Sequence, residues 1–242
     1  MEFYSKTDVG KARKTNQDAV NVKEISDDFV WSVVCDGMGG TSGGDVASRT
    51  AVEEVTKYLD RNLNENKNFE KIKEIMYSAV QEANEAIYEK ARKDDELSSM
   101  GTTVVLCAIV GDMLHVMHAG DSRAYLIDKS GIKQLSKDHS IVQEMIENGE
   151  ITQKEAKNHP RRNIITRALG IEADIKLDYT QIKLQKDDII LLCTDGLTNH
   201  LDENQIFKIC SNSDFSSVAK KLVDEANKHG GSDNITVAVI KY

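Results

Sequence analysis

Apolar residues along this chain recur with two different periods, and the order of those periods sets out its architecture. Strand-like segments fall near residues 2–8, 29–35, 102–110, 113–118, 123–127, 176–183, 188–193 and 235–241. Residues 29–35, 102–110 and 189–193 are apolar at almost every position rather than at alternate ones, so each predicts a strand covered on both faces. Helical spacing appears in Ile72, Ile75, Met76, Ala79, Val80, Ala83 and Ile87, and again in Phe215, Val218, Ala219, Leu222, Val223 and Ala226. A broad apolar face from Val46 to Leu59 predicts a further helix over residues 45–60. These stripes belong to a core.

The order is strands, two long helices, a run of strands, a polar helical insert, and strands around another helical pair. That is not the alternation of a parallel sheet. It predicts an α+β fold, a four-layer αββα sandwich of two central, mostly antiparallel β-sheets flanked by helix pairs. Pro160 is the only proline, and no repeat or low-complexity stretch marks a boundary, so residues 1–242 read as one domain. Residues 136–170 stand apart: polar, containing Pro160 and Arg161-Arg162, with short helical pieces at 140–148 and 152–158. They read as a surface excursion or as a flap beside a site.

Composition narrows the function. Hydrophobic content of 40% and charged content of 29% are ordinary for a globular protein. No run reaches the roughly 20 apolar residues of a membrane span, and the first residues do not resemble a signal peptide, so a cytoplasmic protein is expected. A net charge of −9 argues against a nucleic-acid partner. Cys35, Cys107, Cys193 and Cys210 are widely separated. Thr41, Met113, Asn199 and Ser216 stand six residues beyond them, so no Cys-x5-Arg motif exists and thiol-based phosphoryl chemistry is excluded.

The chemistry lies in carboxylates. Asp36 follows Val33-Val34-Cys35, Asp121 follows Met117-His118-Ala119-Gly120, and Asp195 follows the apolar run from Ile189 to Cys193. Asp233 stands before Asn234. An aspartate at the end of a buried strand has no packing purpose. Two ionised carboxylates about 4 Å apart repel by roughly 4 kcal/mol at an effective dielectric of 20, so a cluster needs shared protons or cations. All-oxygen sites suit Mg²⁺ and Mn²⁺. The glycine-rich turn from Asp36 to Ser48 is not a nucleotide loop. Asp45-Val46 follows Gly44 where a P-loop needs Lys-Ser/Thr, and Ser42 stands where a dinucleotide fingerprint needs glycine. Its glycines would instead let backbone, including the Gly37 carbonyl, approach an ion.

Six motifs taken together resemble the metal-dependent Ser/Thr protein phosphatases of type 2C, the PPM family, in its compact bacterial form. In chain order they are Arg13-Lys14-Thr15-Asn16-Gln17-Asp18, Asp36-Gly37-Met38-Gly39-Gly40, Met100-Gly101-Thr102-Thr103, Gly120-Asp121-Ser122-Arg123-Ala124-Tyr125, Thr194-Asp195-Gly196 and Gly231-Ser232-Asp233-Asn234-Ile235-Thr236. The resemblance implies two core Mn²⁺ or Mg²⁺ ions bridged by Asp36, with the Gly37 carbonyl on one and Asp195 and Asp233 on the other. It further implies Asp18 acting through water, a weaker third ion on Asp121 and Asp195, and Arg13 holding phosphate. A water between the core ions would attack phosphorus without a phosphoenzyme. The expected substrates are phosphorylated proteins, a bacterial Ser/Thr kinase among them, and the expected state is a monomer with no nucleic-acid or membrane partner. Relative to the family, Gln17 replaces a glutamate common in animal members, Met38 replaces a histidine proposed as their general acid, and Thr41 stands where many bacterial members have histidine. The six histidines, His115, His118, His139, His159, His200 and His229, show no metal-ligand spacing and read as structural. The alternative is a catalytically weak member acting as a phosphoprotein-binding regulatory module.

Overall fold

The computed structural model describes residues 1–63 and 71–242; the side chains of Thr41 and Ser42 lie outside the described set, and with them the Thr41 position noted above. One sheet contains β1 (Glu2–Asp8), β11 (Ile235–Lys241), β10 (Ile189–Cys193), β7 (Arg123–Asp128) and β8 (Gly131–Gln134), in that spatial order. The other runs β2 (Asp18–Ser26), β3 (Phe29–Met38), β5 (Val104–Val110), β6 (Met113–Ala119) and β9 (Asp178–Lys183), with the short β4 (Gly101–Thr102) paired to the end of β3. Neighbouring strands are antiparallel in both sheets.

The alternation on β3 shows how the four layers form. Trp31, Val33 and Cys35 face the long helices α1 (Gly40–Asn62) and α2 (Ile72–Lys93), meeting Ala51, Val55, Met76 and Val80. Val30 and Val34 face the opposite way, into the layer between the sheets, with Cys107, Val116, Ile190, Leu192 and Ala238. On the far side, Leu191, Val237 and Val239 are covered by α6 (Glu203–Asn212) and α7 (Phe215–Lys228) through Ile206, Val218 and Leu222. Each fully buried side chain of this size contributes about 1.5–3 kcal/mol, so both sheets must be covered on both faces. The expected αββα sandwich is the observed one.

Local differences have local causes. β2 is absent from the expected strands because Asn21, Lys23 and Glu24 break its apolar pattern and only Asp18 within it is buried. The four-residue β8 is too short to impose a period on the sequence. The expected strand over 102–110 is interrupted at Thr103, whose N–H and hydroxyl leave the ladder to bond the Asp36 backbone. The first long helix begins five residues early, through Gly40, Gly43 and Gly44. Glycine is a poor helix former, and packing decides here: a Cβ on Gly44 would stand 2.7 Å from the Gly37 carbonyl oxygen. Within 136–170 the short helices are α3 (Ile141–Glu147) and α4 (Gln153–Ala156). No helix among the described residues is long and apolar enough to cross a membrane.

Candidate metal centre

The carboxylates converge because strand ends from both sheets meet at one edge of the sandwich. Asp36, near the end of β3, is the ladder partner of Asp18 on β2. Asp195 opens the short helix α5 (Asp195–Thr198) directly after β10, Asp233 precedes β11, and Asp121 sits in the turn from β6 to β7. Burial pushes the Asp36 carboxyl well above the usual range, and the charges of Asp18, Asp195, Asp121 and Asp233 push it further. Asp121 is raised to about 8, by burial first and then by Asp195 and Asp138. Asp195 is raised by burial and Asp233, an effect opposed by hydrogen bonds it accepts from Asn199 and from the carboxyl of Asp36.

Asp18 shows most directly what the carboxylate cluster is suited to bind. Burial, opposed by the nearby Thr236 and Thr194 hydroxyls, raises it to about 7. Its Oδ2 accepts from the Thr194 hydroxyl at 2.9 Å, whereas Oδ1 is buried with no hydrogen-bond partner. A buried acceptor left unsatisfied costs about 1–3 kcal/mol. Cations with their water shells would answer both the orphaned oxygen and the mutual repulsion, and the all-oxygen donors fit Mg²⁺ or Mn²⁺.

Hydrogen bonds from neighbouring side chains fix the surrounding backbone. Asp36 N–H donates to the Thr103 hydroxyl at 3.0 Å, while its carbonyl accepts from Thr103 N–H and the Thr102 hydroxyl, both at 2.9 Å. Asn234 accepts from Gln17 N–H at 2.8 Å and donates to the Val9 and Thr15 carbonyls at 2.9 Å, tying down the loop that carries Arg13. Gln17, neutral here, donates to the Gly40 carbonyl at 2.8 Å and so braces the glycine turn. A side chain at Gly37 would meet the Gly44 carbonyl oxygen at 1.9 Å, so only glycine permits this approach. Arg13 reaches the cleft from the rim, where Nη2 donates to Asp233 Oδ2 at 2.8 Å. The structure thus gathers Arg13, Asp18, Asp36, Gly37, Asp121, Asp195 and Asp233 at one edge of the sandwich.

Two further groups of residues bear on the chemistry. All four cysteines are buried and unpaired, and burial pushes Cys107, Cys193 and Cys210 up to about 12 and Cys35 higher still. None supplies a thiolate. His118, His139 and Asp178 lie together, a grouping that was invisible in the sequence because its members come from β6, β9 and the start of the insert. The two imidazoles stack with planes 5° apart and centroids 4.8 Å apart, so their in-plane lone pairs lie in separate parallel planes and do not converge on one ion. Gly120 N–H occupies His139 Nδ1 at 3.2 Å, and Arg167 holds Asp178 at 2.7 Å. Asp178 Oδ2 is 3.3 Å from His139 Nε2 without satisfying hydrogen-bond geometry. Burial and the neighbouring His118 lower His139 to about 4, so it is neutral. Its service is structural: His139 N–H also donates to the Gly120 carbonyl at 2.9 Å, clamping the residue before Asp121.

A cluster of oxygen donors at one edge of an αββα sandwich suits metal-assisted hydrolysis, and comparison with known proteins places the chain among phosphatases. The Protein phosphatase 2C family profile matches residues 10–236. The serine/threonine phosphatase stp of Listeria monocytogenes is 37% identical over 249 residues, covering 100% of this chain and 96% of that protein. Stp1 from Staphylococcus aureus superposes with a TM-score of 0.92 at 30% identity, covering 100% of this chain and 94% of that one. The catalytic domain of the serine/threonine protein phosphatase PstP, solved with two manganese ions, superposes with a TM-score of 0.86 at 29% identity, covering 98% and 96%. The chain belongs to the protein phosphatase 2C (PPM) family.

Proposed function

We propose that this chain is a protein-serine/threonine phosphatase that works with Mn²⁺ or Mg²⁺, and that its cleft carries the reaction. The observation that carries this reading is the set of four carboxylates pressing on Asp36, beside the orphaned oxygen of Asp18. Asp36 would hold both core ions, the Gly37 carbonyl one, and Asp195 and Asp233 the other. Asp18 would act through water, and Asp121 with Asp195 would hold a weaker third ion. Bound ions lower the pKa of water and screen the phosphoryl oxygens. Arg13, at the rim, would orient the phosphate with its planar donor fork. Met38 carries no proton to give, so the side chain at that position takes no part in protonating the leaving group.

Phosphoproteins, including a Ser/Thr kinase, are the substrates we infer, acted on by a cytoplasmic monomer. Residues 1–242 would act as one domain, with 136–170 as a flap. The regulatory-module alternative is not favoured, since every position of the carboxylate set is retained. Purified protein is expected to hydrolyse p-nitrophenyl phosphate with Mn²⁺ or Mg²⁺, stop with chelator, and survive native thiol alkylation. Full activity after exhaustive metal removal would sink the proposal.

A further inference from the structure

We propose that Met38 and Ile171 form an apolar subsite for an aliphatic side chain flanking the phosphorylated residue of a protein substrate. The proposal rests on the phosphatase reading above. Ile171 is 48% exposed, one of few large apolar side chains so exposed among the described residues. Its setting distinguishes it from an ordinary surface isoleucine. Gly101, on β4, is the ladder partner of Met38, and β4 is bonded on its other side to Leu169 through Thr102. A Cβ on Gly101 would stand 2.9 Å from Met38 Cε and 3.0 Å from Ile171 Cδ1. The two side-chain ends therefore share the surface of one glycine, and Met38 is only two residues beyond Asp36.

The backbone presents Ile171 rigidly. Asn84 on α2, fully buried, gives its whole amide to this turn: it accepts from Gly170 N–H at 2.8 Å and donates to the carbonyls of Glu172 and Ala173 at 3.0 and 2.9 Å. Gln81 adds a bond to the Ile175 carbonyl at 2.8 Å. Gly170 has φ +86°, and a Cβ there would lie 2.2 Å from Ile87. A buried amide devoted to a turn that leaves an isoleucine in solvent implies a contact made outside the chain, and a preformed surface loses little entropy on binding. Continuity with the metal centre selects the occupant. A residue adds at most ~3.3–3.6 Å of chain, so a peptide whose phosphate reaches Asp36 carries its neighbours past Met38. Those neighbours meet a thioether and an isoleucine, apolar groups that favour an aliphatic side chain over a polar one.

The test uses phosphothreonine peptides that differ only in having Leu or Gln beside the phosphorylated residue, on either side in turn, assayed with Mn²⁺. At one flank the Leu peptide is expected to show kcat/KM about five- to tenfold above the Gln peptide, as for half-burying one aliphatic side chain. Ile171→Gln is expected to bring that ratio within twofold, and Ile171→Leu to keep it. Because the readout is a ratio within each variant, altered folding or expression does not mimic it. A wild-type ratio within twofold at both flanks overturns the subsite alone, as does an undiminished ratio in Ile171→Gln. Failure to cleave any phosphopeptide, with p-nitrophenyl phosphate still hydrolysed, overturns the phosphoprotein reading and the subsite together.

Discussion

At the scale of single residues, Arg13 shows why a contact seen in the structure is not the whole of a role. Its ion pair with Asp233 is half exposed on the arginine side, where such pairs contribute about 0–1 kcal/mol. That weak hold leaves the guanidinium free to exchange one anionic partner for another. If it binds phosphate equally in the ground and transition states, Arg13→Ala should raise KM with kcat little changed. A lost charge-assisted bond is worth ~1.5–3 kcal/mol, which corresponds to a rise of ~10- to 150-fold. Steady-state kinetics on a phosphopeptide decides, and an unaltered KM would return Arg13 to the solvated rim. Asp36, Asp121 and Asp195 were legible in the sequence because an acid at the end of a buried strand contradicts its neighbours, whereas Asp18 came only with the family resemblance. Thr103, Asn234 and His139 were not. Threonine, asparagine and a lone histidine are unremarkable in composition, and their partners Asp36, Gln17 and Gly120 lie from 19 to 217 residues away.

At the scale of elements, the insert over 136–170 is rooted on the same turns that carry the carboxylates. Its entry is held where His139 clamps Gly120 beside Asp121, and where Arg123 grips Asp138 through Nε at 2.9 Å and Nη2 at 2.6 Å. Its exit is held where Leu169 and Thr102 exchange backbone hydrogen bonds at 2.8 and 3.1 Å, one strand from Gly37. The span between these roots is mostly polar and exposed. Replacing residues 141–164 with the matching segment of another family member, and keeping both roots, should therefore alter phosphopeptide rates at least severalfold more than rates on p-nitrophenyl phosphate. Equal changes on both substrates would mean that the centre itself had been disturbed. The long helices and doubly covered strands were readable because burial imposes a period on sequence. A two-residue strand such as β4 imposes none; only its tertiary partners define it.

At the scale of the whole molecule, the fold holds carboxylates in a place that opposes their ionisation, and this couples stability to pH and metal together. Asp18 and Asp121, raised to about 7 and about 8, bind protons in the metal-free native state that an unfolded aspartate, with a pKa near 3.9, has already released. Where the native state binds more protons than the unfolded one, stability falls as pH rises. Buried histidines act in the opposite direction: His115, His118 and His139 are all lowered, so they favour folding as pH climbs toward their ordinary value near 6.5. Above that value their contribution is complete, and the carboxylates alone set the slope. Between pH 6.5 and 8 the melting temperature of metal-free protein should fall by about 5 °C. Saturating Mn²⁺ or Mg²⁺ displaces those protons and binds only the folded state, so it should raise the melting temperature and flatten or reverse the slope. Differential scanning calorimetry across this window, with chelator and with metal, makes the comparison. The same downward slope in both conditions would show that the raised carboxylates are not where the metal binds.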